Sequence, residues 1–295
     1  MTTNAIRPRR SVLYMPGSNA RVLEKAKTLA ADCLILDLED AVSPDSKLEA
    51  RRQVAAAVSE GGFGHREVVV RINGFDTPWG DDDLAAIAPL GPDALLVPKV
   101  SSGAAVREAA QRLAMAGAPP AMALWVMMET PLAILNALDI ATVASDADCP
   151  LTCFVLGTND LAKDTGAALA AGRLPMIAWL QTCLAAARAC GLTILDGVYN
   201  DFNDSAGFEA ECRQGVELGM DGKTLIHPSQ IGPCNAAFSP TAEAVSWARR
   251  IIGVFELPEN AGKGALQVDG RMVERLHADI ARRTIAIAEA IAARD

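Results

Sequence analysis

The chain has 295 residues, 51% of them hydrophobic, and a formal net charge of −9. That length lies somewhat above the ~250 residues typical of a (β/α)8 barrel and allows one large core. The acidic balance, without a long basic run, excludes nucleic acid as an expected partner. The longest stretch free of Asp, Glu, Lys, Arg and His, Leu113 to Met128, is broken by Pro119-Pro120 and falls short of the ~18 apolar residues of a membrane span.

Arg7, Arg9 and Arg10 near the N-terminus are not followed by an apolar h-region, so no secretory signal is expected. Strand and helix signals then alternate. Val12 to Pro16 reads as a first strand and Asn19 to Ala30 as a helix. Cys33 to Glu39 is a second strand, followed by a helix from Ser46 to Glu60. Glu67 to Asn73 and Ala94 to Val100 are the third and fourth strands, each followed by an Ala-rich segment. Ala121 to Glu129 is the fifth and Cys153 to Thr158 the sixth. A helix from Pro175 to Ala189 leads to a seventh strand, Thr193 to Asp196. A helix near Phe208 to Leu218 leads to an eighth, Lys223 to His227. Eight βα alternations argue for a closed (β/α)8 TIM barrel over residues 1–238.

Residues 239–295 depart from this rhythm as a C-terminal helical extension. Thr241 to Phe255 is an amphipathic helix with Val245, Ala248, Ile252 and Phe255 on one face. A Gly262-Lys263-Gly264 loop, the segment Ala265 to Val268, a turn at Asp269-Gly270 and a final helix from about Met272 follow. Such a tail exceeds what a barrel requires. It packs on a neighbouring subunit, covers a site, or simply covers the barrel's outside. The seven cysteines are an odd count without Cys-x-x-Cys and fall mostly inside predicted elements. They read as reduced, buried residues of a cytoplasmic protein.

Two apolar runs end on carboxylates. Val126-Met127-Met128 stops at Glu129, and Phe154-Val155-Leu156-Gly157 leads through Thr158-Asn159 to Asp160. Thr130-Pro131 gives an N-cap with proline at the first helical position, whereas Lys163 to Gly166 reads as a loop. Both acids thus fall at the carboxyl ends of predicted parallel strands, where barrel enzymes place their chemistry. Two hard oxygen ligands without His or Cys suit Mg²⁺; the plainer reading makes each a local cap. Strand two ends in Asp37, Glu39 and Asp40, an acidic cluster that calls for a cation nearby. Arg71, inside an apolar strand, needs a partner, which could be that cluster, a substrate carboxylate or both. Lys99 ends strand four, either facing the site or carrying its charge outward. His227 ends strand eight, where a lone histidine is better read as a structural hydrogen-bonding group. No Gly-x-Ser-x-Gly elbow, Gly-x-Gly-x-x-Gly turn or Walker loop occurs.

Several motifs occur in one order: Arg10-Ser11-Val12-Leu13-Tyr14-Met15-Pro16-Gly17, Leu36-Asp37-Leu38-Glu39-Asp40, Val70-Arg71-Ile72-Asn73, Leu96-Val97-Pro98-Lys99, Met128-Glu129-Thr130, Gly157-Thr158-Asn159-Asp160-Leu161 and Ile226-His227-Pro228-Ser229-Gln230. On these the chain resembles the citrate lyase β-subunit-like CoA-ester lyases of the HpcH/HpaI aldolase superfamily, from about residue 8 to the final helix. The resemblance implies a Mg²⁺-binding barrel working as a trimer or hexamer. Glu129 and Asp160 look like its metal carboxylates and Arg71 like the residue that holds the 2-oxo acid. Glu39 and Asp40 would reach metal waters. The implied reaction is retro-Claisen cleavage of a citryl-, malyl- or citramalyl-type thioester to acetyl-CoA, or its acyl-carrier-protein equivalent, and a 2-oxo acid.

One departure stands out. In many such lyases the tail reads Gly-x-Met-(Ile/Val)-Asp, and the aspartate serves the adjacent subunit as acid/base. Here it is Gly270-Arg271-Met272-Val273-Glu274, so Glu274 is the candidate proton carrier, one methylene longer. For the CoA phosphates, Arg10, Arg21 and Lys25 near the first βα turn are candidates. Three other readings stay open: a thioesterase on the same scaffold, a CoA-independent 2-oxo-acid aldolase, and a non-catalytic metabolite-binding subunit.

Overall fold

The apolar runs form eight parallel strands because a strand buried on both faces needs near-continuous hydrophobic sequence. The computed structural model describes residues 7–294. The strands are β1 (Ser11–Pro16), β2 (Cys33–Asp37), β3 (Glu67–Arg71), β4 (Ala94–Val97), β5 (Ala123–Met128), β6 (Leu151–Leu156), β7 (Thr193–Asp196) and β8 (Gly222–Leu225). Each pairs in parallel with the next, and β8 returns to β1, closing a (β/α)8 barrel. Helices connect the strands, as parallel pairing requires.

Val12, Ile35, Val69, Leu96, Trp125, Val155 and Leu195 pack together as the buried barrel core. At its N-terminal end the forked guanidinium of Arg9 bonds Glu67 at 2.6 and 2.8 Å and Thr193 at 2.9 Å, 4.8 Å from the Trp125 ring centroid. A paired Arg–carboxylate fork can occupy an interior where an unpaired charge could not. All seven cysteines are free, and all but Cys190 are buried.

Several strands stop earlier than the sequence suggests. Glu39, Asn73, Glu129 and His227 all lie beyond the ladder. Glu129 lines the mouth beyond the ladder, whereas the Asn73 side chain donates to Asp83 and the Leu38 carbonyl. The first helix is Ala20–Ala26, with the Asn19 side chain accepting from the Val22 N–H, shorter than the predicted Asn19–Ala30. The predicted loop after β6 is instead a helix, Thr158–Thr165, so Asp160 sits in a first helical turn. Thr130 does cap the helix Pro131–Leu135, accepting from the Ala133 N–H at 3.0 Å with Pro131 at its start.

Arg9–Ala237 forms one compact unit and the second begins at Phe238. Within the second unit lie a helix, Ala242–Glu256, a hairpin of β9 (Ala265–Val268) and β10 (Arg271–Glu274), and a helix, Arg275–Ala292. Asp269 and Gly270, at φ 51° and 78°, make the hairpin turn with both central residues left-handed. The final helix therefore begins at Arg275 rather than near Met272, because Arg271–Glu274 pairs back onto β9. Ala248, Ile251, Val268, Val273, Ala278 and Ala281 form this unit's own core. No helix of the described residues is long and apolar enough to cross a membrane.

Candidate active site

The strands' carboxyl ends surround a cavity of about 280 Å³. Tyr14, Asp37, Arg71, Glu129 and Asp160 line it, from five different strands or the turns after them. Barrel enzymes carry their chemistry at this end because the βα loops can vary without disturbing the core. A second concavity, along one face of the Ala242–Glu256 helix, gathers Arg249 and Arg250 but no carboxylate.

Glu129 follows β5 directly and is 1% exposed. Its Oε1 accepts the Lys99 backbone N–H at 2.7 Å, whereas Oε2 is buried without a hydrogen-bond partner among the described residues. Burial pushes its carboxyl up to about 8; the Glu39 charge adds to this and Arg71 opposes it. Gly157 makes room for it. A Cβ there would collide with Glu129 Cβ and lie 2.7 Å from Oε2. Asp160, half-buried, lines the same cavity, and its charge also bears on Glu129. No group of three or more His, Cys, Asp or Glu side chains is arranged to hold a metal ion among the described residues. The two acids nevertheless fit a hard divalent cation. One offers an open, buried carboxylate oxygen, and Mg²⁺ commonly takes only one or two protein carboxylates.

Arg71 ends β3 and is 6% exposed. Its Nε and Nη2 donate to the two oxygens of Asp37, each at 2.7 Å. Nη1 lies 2.7 Å from Glu39 Oε2, an ionic contact without an aligned N–H, and 3.4 Å from Asp40 Oδ2. The acidic cluster is thus the partner of Arg71. Burial raises the Asp37 carboxyl, but Arg71 and the Glu39 and Ala41 N–H groups outweigh it and hold it below its ordinary value. Burial raises the Glu39 carboxyl, against Arg71 and Lys99. The Arg71 guanidinium also lies 4.8 Å from the Tyr14 ring centroid. Asp40 remains largely exposed at the rim.

Residues 10–228 match the model of the HpcH/HpaI aldolase/citrate lyase family. The chain belongs to that family. Among its relatives, (3S)-malyl-CoA thioesterase of Cereibacter sphaeroides (strain KD131 / KCTC 12085) is 52% identical over 97% of this chain and 96% of that one. Citrate lyase subunit beta of Leuconostoc mesenteroides subsp. cremoris is 33% identical over 97% and 95%. The crystal structure of protein CitE from Mycobacterium tuberculosis in complex with magnesium, acetoacetate and coenzyme A matches with a TM-score of 0.75 at 29% identity, covering 96% of this chain and 100% of that one. The HpcH/HpaI fold and the CoA-ester lyase kinship expected from the motifs are therefore established.

Other HpcH/HpaI motif residues sit less simply. Arg10 precedes β1, and in a parallel barrel that is the end opposite the mouth. Its N–H, Nε and Nη2 all donate to Asp32, at 2.9, 2.8 and 2.9 Å. Arg10 is thereby removed from the candidate phosphate ligands. Arg21 and Lys25 are exposed on the helix after β1. Glu274 is the N-cap of the last helix, its N–H donating to His277 Nδ1 at 2.9 Å. His227 makes a structural bond, with Nδ1 accepting the Ser229 N–H at 3.2 Å. Gly157 and Tyr14 were in the motifs, but the sequence reading gave neither a role. The signal for Gly157 was present: a glycine straight after an apolar strand marks a close approach.

Proposed function

We propose that the chain hydrolyses a malyl-type β-hydroxyacyl-CoA thioester with the help of a divalent cation, Mg²⁺ first among candidates. The observation that carries the substrate and reaction is 52% identity, over nearly the whole length of both chains, to a protein named (3S)-malyl-CoA thioesterase. The tail supports hydrolysis over carbon–carbon cleavage. Glu274 stands where the lyase pattern has aspartate, and displacing a proton carrier by ~1 Å can cost about 10²-fold in rate.

Glu129, through its unpartnered Oε2, and Asp160 would hold the cation. When bound, the cation supplies Lewis-acid polarisation and a template for the acid's oxygens. Arg71, held in register by Asp37, presents fixed positive charge to the substrate's carboxylate and to oxygens that gain charge. Water adds to the thioester carbonyl, the carbon–sulfur bond breaks, and the thiolate leaves to take up a proton. Glu39 and Asp40, which flank Arg71, are the proposed acceptors of the water's proton. Glu274 of a neighbouring chain, in a trimer or hexamer, is the proposed donor to the leaving group. The exposed Met272, Leu276 and Ile280 support such assembly. Arg21 and Lys25 are proposed for the CoA phosphates.

Carbon–carbon cleavage is the second reading, favoured by the kinship with citrate lyase subunit beta. The test is an end-point assay with Mg²⁺ and malyl-CoA, citramalyl-CoA or citryl-CoA. Free thiol equal to hydroxy-acid, without acetyl-CoA, is expected from malyl-CoA. Acetyl-CoA and 2-oxo acid in equal amounts would instead establish the lyase. No product from any thioester would overturn both readings in favour of a carrier-protein substrate, a CoA-independent aldolase or a binding role.

A further inference from the structure

We infer that Lys99 is a positioning residue for the cation site, acting through its main chain: its left-handed backbone turns its own N–H onto Glu129 and leaves Oε2 open for the cation. The inference rests on Glu129 being a cation ligand.

Lys99 follows β4 and Pro98 at φ 53°, one of three non-glycine residues with positive φ among those described. A lysine enters that region at a steric cost, and such strain persists where the surroundings fix it. The bond that fixes it is visible: the Lys99 N–H donates to Glu129 Oε1 at 2.7 Å. A carboxylate so held cannot rotate freely, and its second oxygen remains without a partner among the described residues. The side chain serves a separate purpose. Lys99 Nζ reaches Glu39 Oε1 at 3.1 Å, and Glu39 Oε2 faces Arg71. One residue thus orders two acids of the mouth, one through its peptide and one through its ammonium.

The two can be separated. Glycine takes a positive φ without cost and asparagine with little, so Lys99→Gly and Lys99→Asn keep the peptide while discarding the ammonium. Valine is β-branched and strongly disfavoured there, so Lys99→Val pulls the N–H away. Loss of a partner that orients a metal ligand typically weakens metal binding about 10- to 100-fold.

The experiment is titration with Mn²⁺ alone, followed by electron paramagnetic resonance, on the full chain. Lys99→Val is expected to bind at least about 10-fold more weakly than wild type. Lys99→Gly and Lys99→Asn are expected to stay within about 3-fold, since the orienting bond is kept. Wild-type affinity in Lys99→Val would overturn the inference. So would an equal loss in Lys99→Gly and Lys99→Asn, which would assign the effect to the ammonium. If the valine variant does not fold, hydrogen exchange decides. Glu129→Ala is then expected to speed exchange of the Lys99 amide, and unchanged exchange overturns the inference. Failure of the functional reading looks different: wild type binds no Mn²⁺, or Glu129→Gln binds it as wild type does. Either result removes this inference with it.

Discussion

Glu129 combines near-complete burial with one carboxylate oxygen that no described group bonds. The consequence is a pH dependence with a definite sign. Burial first, then Glu39, lift its carboxyl from 4.5 to about 8 in the metal-free fold. Between those values the folded chain holds a proton that the unfolded chain has released. Its contribution to stability is therefore full below about 4.5 and is lost as the pH rises through about 8. A bound divalent cation requires the ionised form, so cation affinity rises over the same window. Thermal midpoints at pH 5.5 and 8.5 should show Mg²⁺ stabilising more at the higher pH, and Glu129→Gln should erase that difference. At Gly157, an added methyl meets Glu129 Cβ. Gly157→Ala is expected to cost about 1–3 kcal/mol by overpacking, read from denaturant unfolding, and to weaken Mn²⁺ binding as well. The acids were legible in the sequence because each ends an apolar run. The Lys99 N–H bond was not, since nothing in a sequence shows which way a peptide faces.

At the scale of elements, the mouth is assembled by strand ends and the charged layer behind them by strand–helix packing. Lys223 on β8 is fully buried. Its Nζ bonds Asp196 Oδ2 at 3.1 Å, Glu211 Oε1 at 2.7 Å and the Gly197 carbonyl at 2.5 Å. Arg173 closes the set, 2.6 Å from Asp196 Oδ1. Burial lowers the Lys223 ammonium, but Asp196 and Glu211 more than restore it. Lys223→Met strips part of the compensation from buried Asp196. A loss of about 3–5 kcal/mol in unfolding free energy is expected, with Mn²⁺ binding retained in the folded fraction. No spacing in the sequence links Arg173, Asp196, Glu211 and Lys223, because their meeting depends on the helix Ser205–Leu218 packing over the barrel. The strands themselves were legible to within a few residues. Their ends were less so, because Glu39, Asn73, Glu129 and His227 continue their runs after the ladder has stopped. Arg10 was misplaced although its signal was present: a residue just before a parallel barrel strand lies opposite the βα loops.

For the whole molecule, the eightfold alternation and the ordered motifs carry both fold and family in the sequence itself, and the match over residues 10–228 agrees with them. The hairpin β9–β10 was harder to read, since Arg271–Glu274 pairs only because the Asp269-Gly270 turn folds it back. The chemistry proposed for the mouth of this barrel requires a divalent-cation site built on Glu129 and Asp160. A crystal grown with Mn²⁺ and measured for its anomalous scattering tests that claim most directly. A single strong peak within coordination distance of Glu129 Oε2 and the Asp160 carboxylate is the expected result. A peak elsewhere, or none at a Mn²⁺ concentration that supports turnover, would contradict it.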